Sequence, residues 1–320
     1  MFARKLILIP ALLACVALNA NAQDDKSPVR LMVGLAAGGP NDIAARLIGG
    51  KLREIWGRPV VVENKVGAGQ RIALSELRRA VPDGRTLQLV TNSPFTIYPH
   101  IYSKLDYDPV KDFTPIARVL TFDMGVATGP MTNALTMKQF VDWASSNRNR
   151  AAYGSPGAGT LPHFLGVALG DVIGIPLTHV PYRGGNPASV DLIGGQVPLI
   201  IIGLSDLIEV HKAGKVKVLA VTGDRRSSLM PEVPTLKESG VNLSSVISVG
   251  IYGPPKMPPD LVRRLNTDIL KAVNAPELQD QFARAGLNLA PLSAEDLASA
   301  QNAEYVRLQA LVKASGYQPE

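Results

Sequence analysis

Apolar and polar positions along the chain alternate in blocks that switch between two periods. Val29 to Leu35 is a nearly continuous apolar run of strand length. After the loop Ala36-Ala37-Gly38-Gly39-Pro40, the residues Ile43, Leu47, Ile48, Leu52, Ile55 and Trp56 fall on one helical stripe. Pro40 or Asn41 opens that helix and Gly57 closes it, since proline suits a first helical position and glycine a helix end. Pro59 to Glu63 predicts a second strand, Gln70 to Ala80 a second helix ended by the Pro82-Asp83-Gly84 turn, and Thr86 to Thr91 a third strand entering Asn92-Ser93-Pro94. Thr136 with Gln139 forms a capping box for a helix through Ser145. Ala151 to Gly154 predicts a strand running into Ser155-Pro156-Gly157-Ala158-Gly159-Thr160, followed by a helix to about Ile173. Further strands are expected at Thr178 to Tyr182, Val197 to Ile202, Lys217 to Thr222 and Val246 to Tyr252, with a short helix near Asp206 to Lys212. Three helices, beginning near Pro258, Pro276 and Ser293, close the chain.

Strands that alternate with helices predict an α/β fold with mostly parallel sheets and helices on both faces. In such sheets ligands bind beyond the carboxyl ends of the strands. The Gly-rich loops at Ala36 and at Ser155 both stand at such junctions. The 320 residues suit two lobes of ordinary domain size.

The first 22 residues read as a secretory signal peptide and not as part of the fold. Arg4 and Lys5 precede the apolar run Leu6 to Leu18, and Ala20-Asn21-Ala22 is a small-x-small site that places cleavage after Ala22. The run is short of the roughly 20 apolar residues that a spanning helix needs. Leu12-Leu13-Ala14-Cys15 loosely resembles a lipobox, which makes lipidation of Cys15 the competing reading. Cys15 is the only cysteine, so the exported chain has no disulfide, thiol nucleophile or thiolate metal site. Loss of Arg4 and Lys5 lowers the net charge from +6 to +4. That mild excess suits an anionic small molecule. Nucleic acid is not expected as a partner, because no basic run or aromatic-interleaved basic stripe is present.

A helix start carries unpaired N–H groups and a partial positive charge, so it holds an anion without needing Lys or Arg. Gly38 and Gly39, and likewise Gly157 and Gly159, let an anion approach the backbone closely, while Ser155 and Thr160 add hydroxyls. Each charge-assisted hydrogen bond contributes roughly 1.5–3 kcal/mol, so two or three with some apolar contact reach micromolar binding at about 8 kcal/mol. The alternative is that these glycines only make tight turns. Enzyme readings fit poorly. Gly154 to Thr160 lacks the lysine of a phosphate-binding P-loop. Gly157-Ala158-Gly159-Thr160-Leu161-Pro162 and Gly67-Ala68-Gly69-Gln70-Arg71-Ile72 both lack the last glycine of a dinucleotide fingerprint. Tyr153 stands where a nucleophile elbow around Ser155 wants glycine. His100, His163, His179 and His211 show no metal pairing at four-residue spacing. No metal and no cofactor is expected. His163, one turn into its helix, is placed to line a cleft or to cap the loop, and His179 reads as a strand residue.

An ordered set of motifs resembles one family over nearly the whole exported chain. Ala37-Gly38-Gly39 with Asp42, Val60-Val61-Val62-Glu63-Asn64, Gly67-Ala68-Gly69 and Pro82-Asp83-Gly84 are similar to the first lobe of the Bordetella uptake gene (Bug) receptors. These are the extracytoplasmic solute receptors of tripartite tricarboxylate transporters. The likeness continues through Leu105 to Phe113, Tyr153-Gly154-Ser155, His179-Val180-Pro181-Tyr182, Gly194-Gly195-Gln196-Val197, Leu219 to Thr222 and Pro231 to Thr235.

The resemblance implies a periplasmic, monomeric two-lobe binding protein of the type II, Venus-flytrap kind, with lobe 1 at 23–124 and 248–320 and lobe 2 at 125–247. It implies a small carboxylate as ligand, such as a dicarboxylate, an amino acid or an aromatic acid, and membrane permease subunits as partners. By that likeness Ser155, Gly157, Gly159 and Thr160 hold one carboxylate, with His163, Tyr182 and Gly184 nearby. Ala36, Ala37 and Gly38 meet the far end of the ligand, and Thr91 and Ser93 add donors. The chain departs from the family at Leu35 and Ala36, at Pro198, at Arg71 and at Arg183. Gly203 stands where an acidic residue would hold a ligand amine, which points away from an amino acid. Two rival readings share the same residues: a periplasmic sensor that signals to a membrane histidine kinase, and a secreted hydrolase with Ser155 as nucleophile.

Overall fold

The computed structural model describes residues 27–285 and 287–319. The expected signal peptide, with Cys15, lies outside the described residues. The strands form two sheets. The first contains β1 (Val29–Val33), β2 (Val60–Asn64), β3 (Thr86–Thr91), β4 (Thr114–Phe122), β10 (Ile247–Gly253) and β11 (Asn288–Leu292). The second contains β5 (Met124–Thr128), β6 (Ala152–Ser155), β7 (Thr178–Pro181), β8 (Leu199–Gly203) and β9 (Lys217–Val221). Their spatial orders are β11-β4-β10-β3-β1-β2 and β7-β6-β8-β5-β9. The helices are α1 (Pro40–Trp56), α2 (Arg71–Arg78), α3 (Ser93–Thr96), α4 (Tyr98–Ile101), α5 (Met137–Ser146), α6 (Leu161–Ile173), α7 (Gly185–Ile193), α8 (Ile208–Lys212), α9 (Pro259–Val273), α10 (Pro276–Arg284) and α11 (Ala294–Ala314).

The two-lobe α/β architecture is as the sequence predicts, but the sheets are mixed instead of mostly parallel. β2, β1 and β3 run parallel, as do β7, β6 and β8, because helical crossovers join them. The remaining pairings are antiparallel. The reason is the traffic between sheets. β4 leaves the first sheet at its carboxyl edge and passes through Asp123 directly into β5. β5 therefore enters the second sheet at that sheet's own carboxyl edge and must oppose β8. β10 re-enters the first sheet at the same edge and must oppose β3. The crossing segments thus bring the carboxyl edges of both sheets, where the Gly-rich loops lie, to the same side of each lobe.

Local chemistry sets the element ends. Gly57 takes the left-handed conformation at the end of α1 and its N–H donates to the Arg53 carbonyl. The Thr136 side chain accepts from Gln139 N–H at the start of α5, and Gln139 in return accepts from Leu135 N–H. Each sheet is covered on both faces. In the first, Leu31, Leu89 and Ile251 pack under α1, α9 and α10, while Met32, Val90 and Tyr252 pack with Leu74, Phe95 and Leu297 on the other face. In the second, Leu199 and Ile201 join Phe140, Tyr153 and Phe164, and Ile200 and Ile202 join Ala188, Leu192 and Leu207. Each fully buried aliphatic side chain contributes about 1.5–3 kcal/mol.

α11 ties the two halves together. Leu297 near its start packs on the first sheet, whereas Leu308 and Val312 belong to the core that holds Tyr153 and Phe164 of the second. The sequence pattern missed β4, β5, β11 and α7. The strands do not follow the helix-strand alternation, and α7 has too many small residues to show a stripe.

Candidate ligand-binding site

The loop between β6 and α6 is held in shape by its own polar groups. Ser155 Oγ donates to the Gly157 carbonyl at 3.0 Å and lies 2.7 Å from His179 Nε2. With Ser155 donating to Gly157, the consistent tautomer has His179 Nε2–H donating to Ser155 Oγ. Thr160 Oγ1 also donates to the Gly157 carbonyl, at 2.7 Å. Gly159 has φ +72° and its N–H donates to His163 Nδ1 at 3.1 Å. The His163 ring stacks on His179 with centroids 3.9 Å apart. Burial lowers the pKa of both imidazoles, and the neighbouring His163 adds to the effect on His179, which falls to about 4. Both rings are therefore neutral at pH 7.

These bonds leave a defined set of donors. The backbone N–H groups of Ala158, Thr160 and Leu161 find no acceptor among the described residues. They stand at the start of α6, a 13-residue helix whose partial positive charge adds to theirs. The hydroxyls of Ser155 and Thr160, expected as donors, point inward and shape the loop. His163 lies beneath the loop as its support, 7% exposed, against Phe164 and Tyr317. The Ser155–His179 contact is part of a nucleophile–base arrangement, but Ser155 is fully buried and a base with a pKa near 4 takes up no proton at neutral pH.

The neighbouring loop after β7 is stitched to this one. Tyr182 N–H donates to the Ser155 carbonyl and Gly184 N–H to the Pro156 carbonyl. Tyr182 Oη is turned to α7, where it donates to Asp191 at 2.9 Å, and burial with that carboxylate pushes its pKa up to about 12. Gly184, with φ +109°, is the capping residue just before α7. Asp206, on the turn after β8, brings its Oδ2 to 2.6 Å from the point a Gly185 Cβ would occupy and 3.5 Å from that of Gly203. Arg183 is exposed at this rim.

On the first sheet, Ala36, Ala37 and Gly38 form an exposed turn after β1. Gly38, with φ +80°, donates its N–H to Asp42 Oδ2 at 2.9 Å, so that amide is already engaged by a carboxylate at the helix start. Arg46 and Asn64 also donate to Asp42. Burial alone would raise the Asp42 carboxyl, but these hydrogen bonds outweigh it and hold the pKa below the ordinary value. Thr91 Oγ1 accepts from Gln70 Nε2 at 2.6 Å, and Ser93 begins α3. Gln70 is buried with φ 76° and packs against Gly34, where a Cβ would stand 2.6 Å from its own. Asp42, Gln70, His179 and Asp206 were missed as site-building residues because their partners are distant in sequence or hidden in loop geometry. Arg71, one of the departures from the family pattern, stacks over Tyr102 at 4.3 Å and donates to the Ala68 carbonyl. It lines a groove of about 1150 Å³ that runs along α2 to the amino ends of β1 and β3.

Comparison with known proteins decides the family. The family model of tripartite tricarboxylate transporter receptors (TctC) matches residues 44–317. The chain belongs to this receptor family. It is 32% identical over 277 residues to the "UPF0065 protein in gbd 5'region" of Cupriavidus necator, covering 86% of this chain and 84% of that one. The receptor resembles the solved periplasmic binding protein BugD with 29% identity and a TM-score of 0.71, over 92% of this chain and 99% of BugD. It resembles R. palustris Rpa4515, solved with adipate, with 26% identity and a TM-score of 0.76, over 92% of this chain and 98% of that one. No helix among the described residues of the receptor is long and apolar enough to cross a membrane.

Proposed function

We propose that this chain is a periplasmic solute receptor, not an enzyme, that captures a small carboxylate between its lobes and delivers it to the membrane subunits of a tripartite tricarboxylate transporter. The observation that carries the reading is the set of unpaired N–H groups at Ala158, Thr160 and Leu161, preorganised by Ser155, Gly157, Gly159 and the His163–His179 stack. A carboxylate seated there accepts backbone bonds at a helix start and displaces no internal partner. Tyr182 and Gly184 frame that seat. Ala36, Ala37 and Gly38, with Thr91 and Ser93, face the far end of the ligand from the other lobe. The adipate bound by Rpa4515 supports a dicarboxylate as the ligand class.

Lobe 1 comprises residues 23–124 and 248–320 and lobe 2 residues 125–247, and they close by a hinge at the two crossing segments. The protein works as a monomer without metal or cofactor, after export and cleavage following Ala22. Calorimetric and thermal-shift screening of C4–C6 dicarboxylates and aromatic acids tests the proposal. A rise in Tm with a micromolar Kd, and compaction in solution scattering, are expected. The absence of any stabilising organic acid would refute it. Capture of a histidine kinase instead of a permease from solubilised membranes would favour the sensor role.

A further inference from the structure

Asp206 is a carboxylate at the carboxyl edge of the second sheet with no ion-pair partner among the described residues. The parallel strands β7 and β6 end together at Pro181 and Ser155, β8 beside them runs on to Gly203, and the turn carrying Asp206 follows it. Its Oδ2 sits against Gly185 and Gly203. A Cβ on Gly185 would meet that oxygen at 2.6 Å, so the bare glycine is what admits the carboxylate to the start of α7. Among the described residues Asp206 makes no ion pair and no side-chain hydrogen bond. The residue is exposed, yet enough protein surrounds the carboxyl to raise its pKa by desolvation.

The charges around it divide the site in two. The amides at the start of α6 are free and attract an anion. The start of α7, the other helix N-terminus at this edge, is already faced by the Asp206 carboxylate. A second carboxylate of a guest lying toward α7 would meet like charge at short range, which a partly desolvated pair tolerates poorly. A guest with an ammonium group there would instead supply the cation that Asp206 lacks, as a charge-assisted hydrogen bond.

Resting on the receptor reading above, the geometry points to Asp206 as a specificity-determining residue that selects a carboxylate bearing a protonated amine over the corresponding plain dicarboxylate. The carboxylate takes the amides of Ala158, Thr160 and Leu161, and the ammonium takes Asp206. The missing acidic side chain at Gly203 therefore does not exclude an amino acid, because the charge arrives from three residues further along the chain.

The test uses acid pairs that differ only by the amine: succinate with L-aspartate, glutarate with L-glutamate, and adipate with L-2-aminoadipate. Each is titrated calorimetrically into the full exported protein and into Asp206→Asn. In the wild type at least one amino member is expected to bind about tenfold or more tightly than its plain partner, the worth of one charge-assisted hydrogen bond. In Asp206→Asn that preference should fall to threefold or less, through weaker amino-acid binding and tighter dicarboxylate binding. Asp206→Glu, which keeps the charge, should retain the preference and guards against a folding defect in the amide variant. Dicarboxylates that bind the wild type as tightly as their amino partners, or a preference that survives Asp206→Asn, would overturn the role of Asp206 and leave the receptor reading standing. If no member of any pair binds, the role of Asp206 is overturned, while the receptor reading is decided separately by the wider screen of organic acids.

Discussion

The stacked imidazoles beneath the β6–α6 loop make a sharp prediction about acid. His179 has its pKa lowered from the ordinary 6.5 to about 4 by burial and by His163. In the unfolded chain it regains the ordinary value, so between pH 6.5 and 4 the unfolded state binds more protons than the folded one. Stability is then fully present above about pH 6.5 and is lost as pH falls toward 4. A shift of that size corresponds to about 3 kcal/mol at face value. The ring keeps some contact with solvent, so screening reduces the expected contribution to about 1–2 kcal/mol. For a protein of this size that is roughly 2–6 °C in Tm. The assay is thermal unfolding at steps from pH 7 to 4, comparing the wild type with His179→Gln, whose amide does not titrate. Carboxylates elsewhere titrate in both proteins and cancel in the comparison. The gap in Tm between the two proteins should narrow, or reverse in favour of the variant, as the pH drops. Parallel curves across the whole range would show that the His163–His179 stack is not held neutral by burial.

Other substitutions probe the same machinery. Thr160→Ala removes the hydroxyl that donates to the Gly157 carbonyl and should weaken carboxylate binding by about 1–3 kcal/mol in calorimetry through a loosened amide seat. Gly166→Ala drives a methyl group into the ring of Tyr153, whose hydroxyl donates to the His163 carbonyl, and should lower stability by about 1–3 kcal/mol in urea unfolding. Tyr182→Phe strips Asp191 of its phenol donor on α7 and should cost about 0.5–1.5 kcal/mol, read as a fall in Tm, with the ligand seat intact. Asn288→Ala removes the amide that joins β11 to Asp123 at the crossing segment and to Ser228 in the segment between β9 and β10. It should alter the compaction that ligand produces in scattering, while equal compaction in both proteins would remove Asn288 from the hinge.

Much of this receptor was legible along the chain. Period and punctuation located β1, α1, β3, α6 and the three closing helices, because those features depend on neighbours within one or two turns of backbone. The Gly-rich loops were visible for the same reason, as strand ends followed by helix starts. What the linear pattern left undecided is everything that depends on strand order. Mixed pairing follows from the crossings at Asp123 and before Ile247, which no local period encodes. His179 reads as an ordinary strand residue until β7 is laid beside β6, and only then does its imidazole reach Ser155. Gly203 reads as a missing charge until the turn after β8 folds Asp206 back over it. Sequence fixes what each segment wants to bury and where it turns, since those are short-range energies. The proposed seat for a ligand is assembled from groups tens of residues apart, and only the packed sheets decide which of them meet.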